Sequence, residues 1–197
     1  MEKIIISIAF LTIIFGCQKS NTNQVFNLKI NQGAIQQVLS ENDVYLQKSM
    51  YRALNENERF EIWNKKFEAL LSSGKLNIQQ AEFITFLKNT ISPSFFKGNT
   101  TRRTLDGDFI KNKGIELFGV DEAFKILASL SSPQSDYKQQ WNKNCSCSHT
   151  SQWCGNGTCP FDACNESSLG CGSLLAYACN GICQAPILGL SAGGNNK

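Results

Sequence analysis

The chain has 197 residues, a formal net charge of +3 and nine cysteines. That length allows one modest domain and a small module. Its charge is thinly spread, with no clustered basic stripe of the kind nucleic acid requires, so nucleic acid is not expected as a partner.

Residues 1–16 begin Met1-Glu2-Lys3 and run on through an apolar stretch from Ile4 to Phe15. This is the anatomy of an export signal, too short to span a bilayer between polar flanks. The leader ends Ile14-Phe15-Gly16-Cys17, which resembles the lipobox of bacterial lipoproteins. The resemblance implies a diacylglycerol on the Cys17 thiol, cleavage before Cys17 and acylation of the new amine. A membrane then becomes a partner, held by lipid chains worth about 0.8 kcal/mol per buried methylene. Residues 17–29, including the polar run Gln18 to Gln24, form the tether. An ordinary secretion signal ending near a cysteine would instead release the chain.

Residues 30–132 read as an all-α bundle. Ala34 to Leu39, and then Leu46, Met50 and Leu54, predict helix ahead of residue 55. Asn55 and Glu58 are spaced as a capping box. Phe60, Trp63, Phe67 and Leu70 follow at intervals of three and four on one face, and Gly74 stops the helix. Asn77 and Gln80 repeat the box, with Phe83, Ile84, Leu87 and Ile91 on one side and Ser92-Pro93 at the end. The aromatic stripe suits a core better than a ligand box. The polar stretch 97–108, which holds Arg102-Arg103, reads as a loop. A short helix is predicted from Phe109 to Phe118, and another through Val120, Phe124 and Leu127, entered at Gly119.

Residues 133–143 read as an exposed linker, with Lys143 as a candidate cleavage point. Tyr137 and Trp141 would alternatively make a last helical turn docked on the bundle. Beyond them charge nearly vanishes; only Asp162, Glu166 and Lys197 remain. Cys145, Cys147, Cys154, Cys159, Cys164, Cys171, Cys179 and Cys183 crowd the 144–183 module, and residues 184–197 read as a flexible tail. No C-x-x-C knuckle is present, and the single histidine, His149, has no partner, so the pattern is poor for zinc. Export favours four disulfides. Their pairing stays open among the 105 connectivities of eight cysteines, although Cys145 and Cys147 are too close to bridge each other. The module is expected to be turn-dominated, mostly irregular and glycine-rich, with Leu174 to Tyr177 as its one run fit for a strand or helical turn.

Enzyme signals and cofactor motifs are lacking: there is no histidine dyad or triad with a free nucleophile and no phosphate loop. The words Asn144-Cys145-Ser146-Cys147-Ser148, Ser151-Gln152-Trp153-Cys154, Gly170-Cys171-Gly172 and Ala178-Cys179-Asn180-Gly181 resemble the fulvocin C-related bacteriocin proteins. Those are exported, precursor-like chains whose tail is an antibacterial peptide built on four disulfides. The resemblance implies a helical carrier and a cysteine-rich effector that meets a target-cell envelope. Leu174, Leu175, Tyr177 and Ile182 would supply the apolar contact, though they equally suit the module's own core. The competing expectation is a non-toxic surface module that binds a protein or glycan, with Trp153 and Phe161 as its contact surface.

Overall fold

The computed structural model describes residues 30–97, 105–130, 145–155 and 157–184. The leader, Cys17, the tether, Arg102-Arg103, the junction with Lys143, Tyr137 and Trp141, and the tail beyond Gln184 lie outside the described residues. The helices are α1 (Gln32–Ser40), α2 (Val44–Ala53), α3 (Glu56–Ser72), α4 (Ile78–Thr90), α5 (Gly107–Phe118) and α6 (Val120–Leu127). Two short strands, β1 (Ser167–Cys171) and β2 (Tyr177–Cys179), pair antiparallel around a 3-10 turn at Ser173–Leu175. The architecture is a helical bundle with a small, disulfide-rich and mostly irregular C-terminal module, as expected. Among the described residues no helix is long and apolar enough to cross a membrane.

Local chemistry explains where the helices start. Asn55 Oδ1 accepts from the amides of Asn57 and Glu58 at 2.9 and 3.1 Å. The Glu58 carboxylate accepts in return from the Asn55 amide at 2.9 Å. Its other oxygen accepts from the Asn31 amide at 3.0 Å, so one buried carboxylate fastens the starts of both α1 and α3. The second box forms too: Asn77 accepts from the Gln80 amide, and Gln80 accepts from that of Asn77. Gln80 Nε2 also donates to the Leu117 carbonyl at 2.8 Å, tying α4 to the end of α5. Helix α5 begins two residues before the predicted Phe109, because Asp106 accepts from the Asp108 amide.

The buried faces differ from the expected ones in two places. On α2, Leu46 is exposed, while Gln47 and Tyr51 are buried. Gln47 can be inside because its amide donates to the carbonyls of Val38 and Glu41 at the end of α1. On α3, Phe60 is only half-buried, whereas Arg59, Ile62, Trp63 and Phe67 face inward. The Arg59 guanidinium is satisfied by backbone, donating to the Leu54 carbonyl at 2.9 Å and to the Phe96 carbonyl at 2.6 Å. It thereby holds a 3-10 turn, Pro93–Phe96, that drops Phe95 and Phe96 into the core.

Lys66 is a half-buried cation whose ammonium is turned onto backbone carbonyls. Its ammonium donates to the carbonyls of Lys125 and Ser129 at 2.6 and 2.5 Å, and lies 4.9 Å from the centre of the Trp63 ring. Burial pushes it down from 10.5 to about 7, opposed by the charge of Glu122. The unfolded chain therefore binds this proton more tightly than the folded one. Between pH about 7 and 10.5 the folded chain has released the proton and the unfolded chain has not, so stability rises with pH across that window. Chemical unfolding of the parent and of Lys66→Met at a series of pH values should show this slope in the parent and a smaller one in the variant. Equal slopes would mean that Lys66 does not titrate in that range.

Candidate functional site

The candidate site is the cysteine module and the seat it occupies on the helices. Its frame is four bridges: Cys145–Cys164, Cys147–Cys159, Cys154–Cys183 and Cys171–Cys179. Backbone bridges join the loops between them, pairing Cys147 and Phe161 each with Gly181, and Thr158 with Gln184. The Sγ atoms of Cys147, Cys154 and Cys159 lie within 4.8 Å of one another. They belong to two neighbouring disulfides, and a sulfur bonded to another sulfur is not the thiolate that a metal requires. The grouping is therefore a stack of two bridges. The other two bridges make a second sulfur-lined cluster, of Cys145, Cys164, Cys171 and Cys179.

The module does not build a separate apolar core. Trp153, Leu174, Leu175, Ala176 and Tyr177 belong to the same buried cluster as Tyr51, Trp63, Phe95, Ile110 and Leu127 of the helical half. The Tyr177 ring meets Phe95 edge-on at 6.5 Å, and Trp153 lies 6.1 Å from Phe124. The contact is close because α5 opens on a glycine. A Cβ at Gly107 would stand 2.4 Å from Tyr177 Cζ and Oη and 2.8 Å from Ser151 Oγ.

Polar groups at this seam are fully paired. Ser173 Oγ donates to the Gly107 carbonyl at 2.8 Å and accepts from Trp153 Nε1 at 2.9 Å and from Ser151 Oγ at 3.2 Å. Ser151 Oγ accepts from the Ser173 amide at 2.9 Å. On the other side, Tyr51 Oη accepts from Trp63 Nε1 at 3.0 Å and donates to the Leu174 carbonyl at 3.2 Å. Burial pushes the Tyr51 hydroxyl well above its ordinary value, more than the Trp63 hydrogen bond and the Arg59 charge lower it. It therefore remains a donor to the module at any physiological pH. Leu174 and Leu175 hold φ values of 56° and 51°, a left-handed conformation unusual for branched side chains. That strain is offset by burying both side chains, Leu174 completely.

The six residues expected to make a contact surface therefore divide. Trp153, Leu174, Leu175 and Tyr177 do not form an exposed surface; they are buried under the helices, because the module lacks enough apolar volume to cover them. Ile182 is half-buried. Phe161 remains 68% exposed and stacks on His149 with ring centres 4.2 Å apart. The His149 amide donates to Asn180 Oδ1 at 2.8 Å, which fixes that side of the pair to the disulfide frame. Sequence reasoning did not single out Tyr51, Gly107, Ser151 or Ser173 as a group. Only Ser151 carried any signal, through the word Ser151-Gln152-Trp153-Cys154. No protein-family model, curated protein or solved structure matches the chain.

Proposed function

We propose that this protein is an exported, lipid-anchored effector of the bacteriocin type whose helical half keeps the effector module latent. One observation carries the reading: Trp153, Leu174, Leu175 and Tyr177 are buried against the helices. Separated from that cover, the module would present these side chains to water at a cost of about 1.5–3 kcal/mol for each large one. A contiguous apolar patch on a frame held rigid by four disulfides suits insertion into a target-cell envelope. The likeness of residues 144–181 to the fulvocin C-related bacteriocin proteins supports the same assignment. The Ile14-Phe15-Gly16-Cys17 sequence supports anchoring through lipid on Cys17, and Lys143 is the release point in this reading. The proposed action is physical disruption, with no catalytic step and no cofactor.

The test is a full-length chain with a specific protease site placed at Lys143–Asn144. Cleaved protein should harm related bacteria or empty dye-filled vesicles at micromolar doses, while the uncut chain leaves both intact. Equal inertness before and after cleavage would sink the proposal. The exposed Phe161–His149 pair favours a second reading, a non-toxic surface module that binds a glycan or protein. In that case the cleaved protein is harmless, and Phe161→Ala abolishes retention on cell-wall material.

A further inference from the structure

Lys48 and Arg52 stand one turn apart on α2 and so share a face of that helix. Arg52 lies along the backbone of β1: a Cβ at Gly170 would be 3.3 Å from Arg52 Nη1 and 3.4 Å from its Cδ and Cγ. Gly170 has φ of 104°, so a residue without a side chain suits that position on both counts. Both cations are half-buried. Neither takes part in an ion pair among the described residues. The acidic groups that precede them in the chain are engaged elsewhere: Asp43 caps α2 by accepting from the amides of Tyr45 and Leu46, and Glu41 accepts from the Asp43 amide. Of those that follow, Glu58 accepts from the amides of Asn31 and Asn55, and Glu56, four residues beyond Arg52, forms no ion pair with it among the described residues.

Two like charges brought together and partly withdrawn from water are unfavourable unless an anion joins them. Burial pushes the Lys48 ammonium down to about 8, and the charge of Arg52 acts in the same direction. An anion between the two would reverse that. A guanidinium offers a planar fork and an ammonium a compact point charge; together they match a tetrahedral oxyanion with several acceptor oxygens.

We propose that Lys48 and Arg52 form a phosphate-binding site at the junction of α2 and β1. The phosphate would touch the helical half through Lys48 and Arg52 at the point where Arg52 lines the module, and so favour the docked arrangement. The inference is independent of whether the module is an effector.

Thermal unfolding of the full chain tests it, comparing inorganic phosphate with chloride at matched ionic strength. A ligand that binds only the folded state raises the midpoint as its concentration rises. Phosphate should do so beyond chloride, and Lys48→Gln and Arg52→Gln should each weaken apparent affinity about tenfold or more, the loss expected for one charge-assisted hydrogen bond. Without phosphate, Lys48→Gln should be no less stable than the parent, because one of two repelling charges is gone. Circular dichroism before heating establishes that each variant is folded, and Arg52→Lys, which keeps the charge without the fork, should fall between parent and Arg52→Gln. A short-chain phosphatidylglycerol below its micellar concentration distinguishes the source. A larger response to it than to inorganic phosphate assigns a lipid headgroup, and the converse assigns free phosphate; either supports the site. Identical responses to phosphate and chloride, or variants that respond like the parent, overturn it.

Discussion

Leu174→Ala is expected to lower the unfolding midpoint of the helices, although Leu174 lies in the cysteine module. Its side chain is wholly buried in the cluster that contains Tyr51 and Trp63, and its carbonyl accepts from Tyr51 Oη. Truncating a buried leucine costs about 2–5 kcal/mol, part from lost transfer and part from the cavity. Alanine keeps the left-handed backbone strain at φ 56° while removing the burial that offsets it. For a chain of this size the midpoint should fall by roughly 5–15 °C. The helical signal at 222 nm should decline in one transition, together with the near-ultraviolet signal of Trp153. A helical midpoint unchanged from the parent would show that bundle and module unfold independently, and the covering role assigned to the helices would then be wrong.

Opening Cys154–Cys183 should have a comparable effect. This bridge closes the longest loop, with a sequence separation of 29, against 8 for Cys171–Cys179. Constraining the unfolded chain over that loop is worth about 3.5 kcal/mol, against about 2.5 kcal/mol for the shortest one. The double variant Cys154→Ser/Cys183→Ser should therefore lose more stability than Cys171→Ser/Cys179→Ser, read from denaturant midpoints. Full reduction should go further and destabilise the helices too, since Trp153 and Tyr177 are held in the shared core by the frame the bridges maintain. Alkylation of the folded chain without reductant should label none of the eight module cysteines. Labelling of two or more would contradict the bridged frame, and helices as stable after reduction as before would separate the frame from the core.

Several parts of the structure follow from neighbouring residues alone. The capping boxes at Asn55-Glu58 and Asn77-Gln80 form because side chain and amide are three residues apart, whatever packs around them. Periodicity places Trp63, Phe67, Phe83, Ile84 and Leu87 inside for the same local reason. The abundance of cysteine in an exported-looking chain points to bridges, but spacing excludes only a bridge between Cys145 and Cys147, and it is the folded loops that pair Cys145 with Cys164 and Cys154 with Cys183.

The tertiary structure decided the rest. Gln47 and Arg59 are inside because carbonyls at the end of α1, at Leu54 and at Phe96 happen to meet them, a condition that no hydropathy pattern contains. Tyr51 is central because Trp63 and the Leu174 carbonyl converge on its hydroxyl from twelve and 123 residues away along the chain. Trp153, Leu174, Leu175 and Tyr177 suit an exposed patch and a core equally well in sequence, since an apolar side chain looks the same in either place. What buries them is the absence of a side chain at Gly107 and the pairing of Ser173 with its carbonyl, which let the module approach α5 closely enough to share one core.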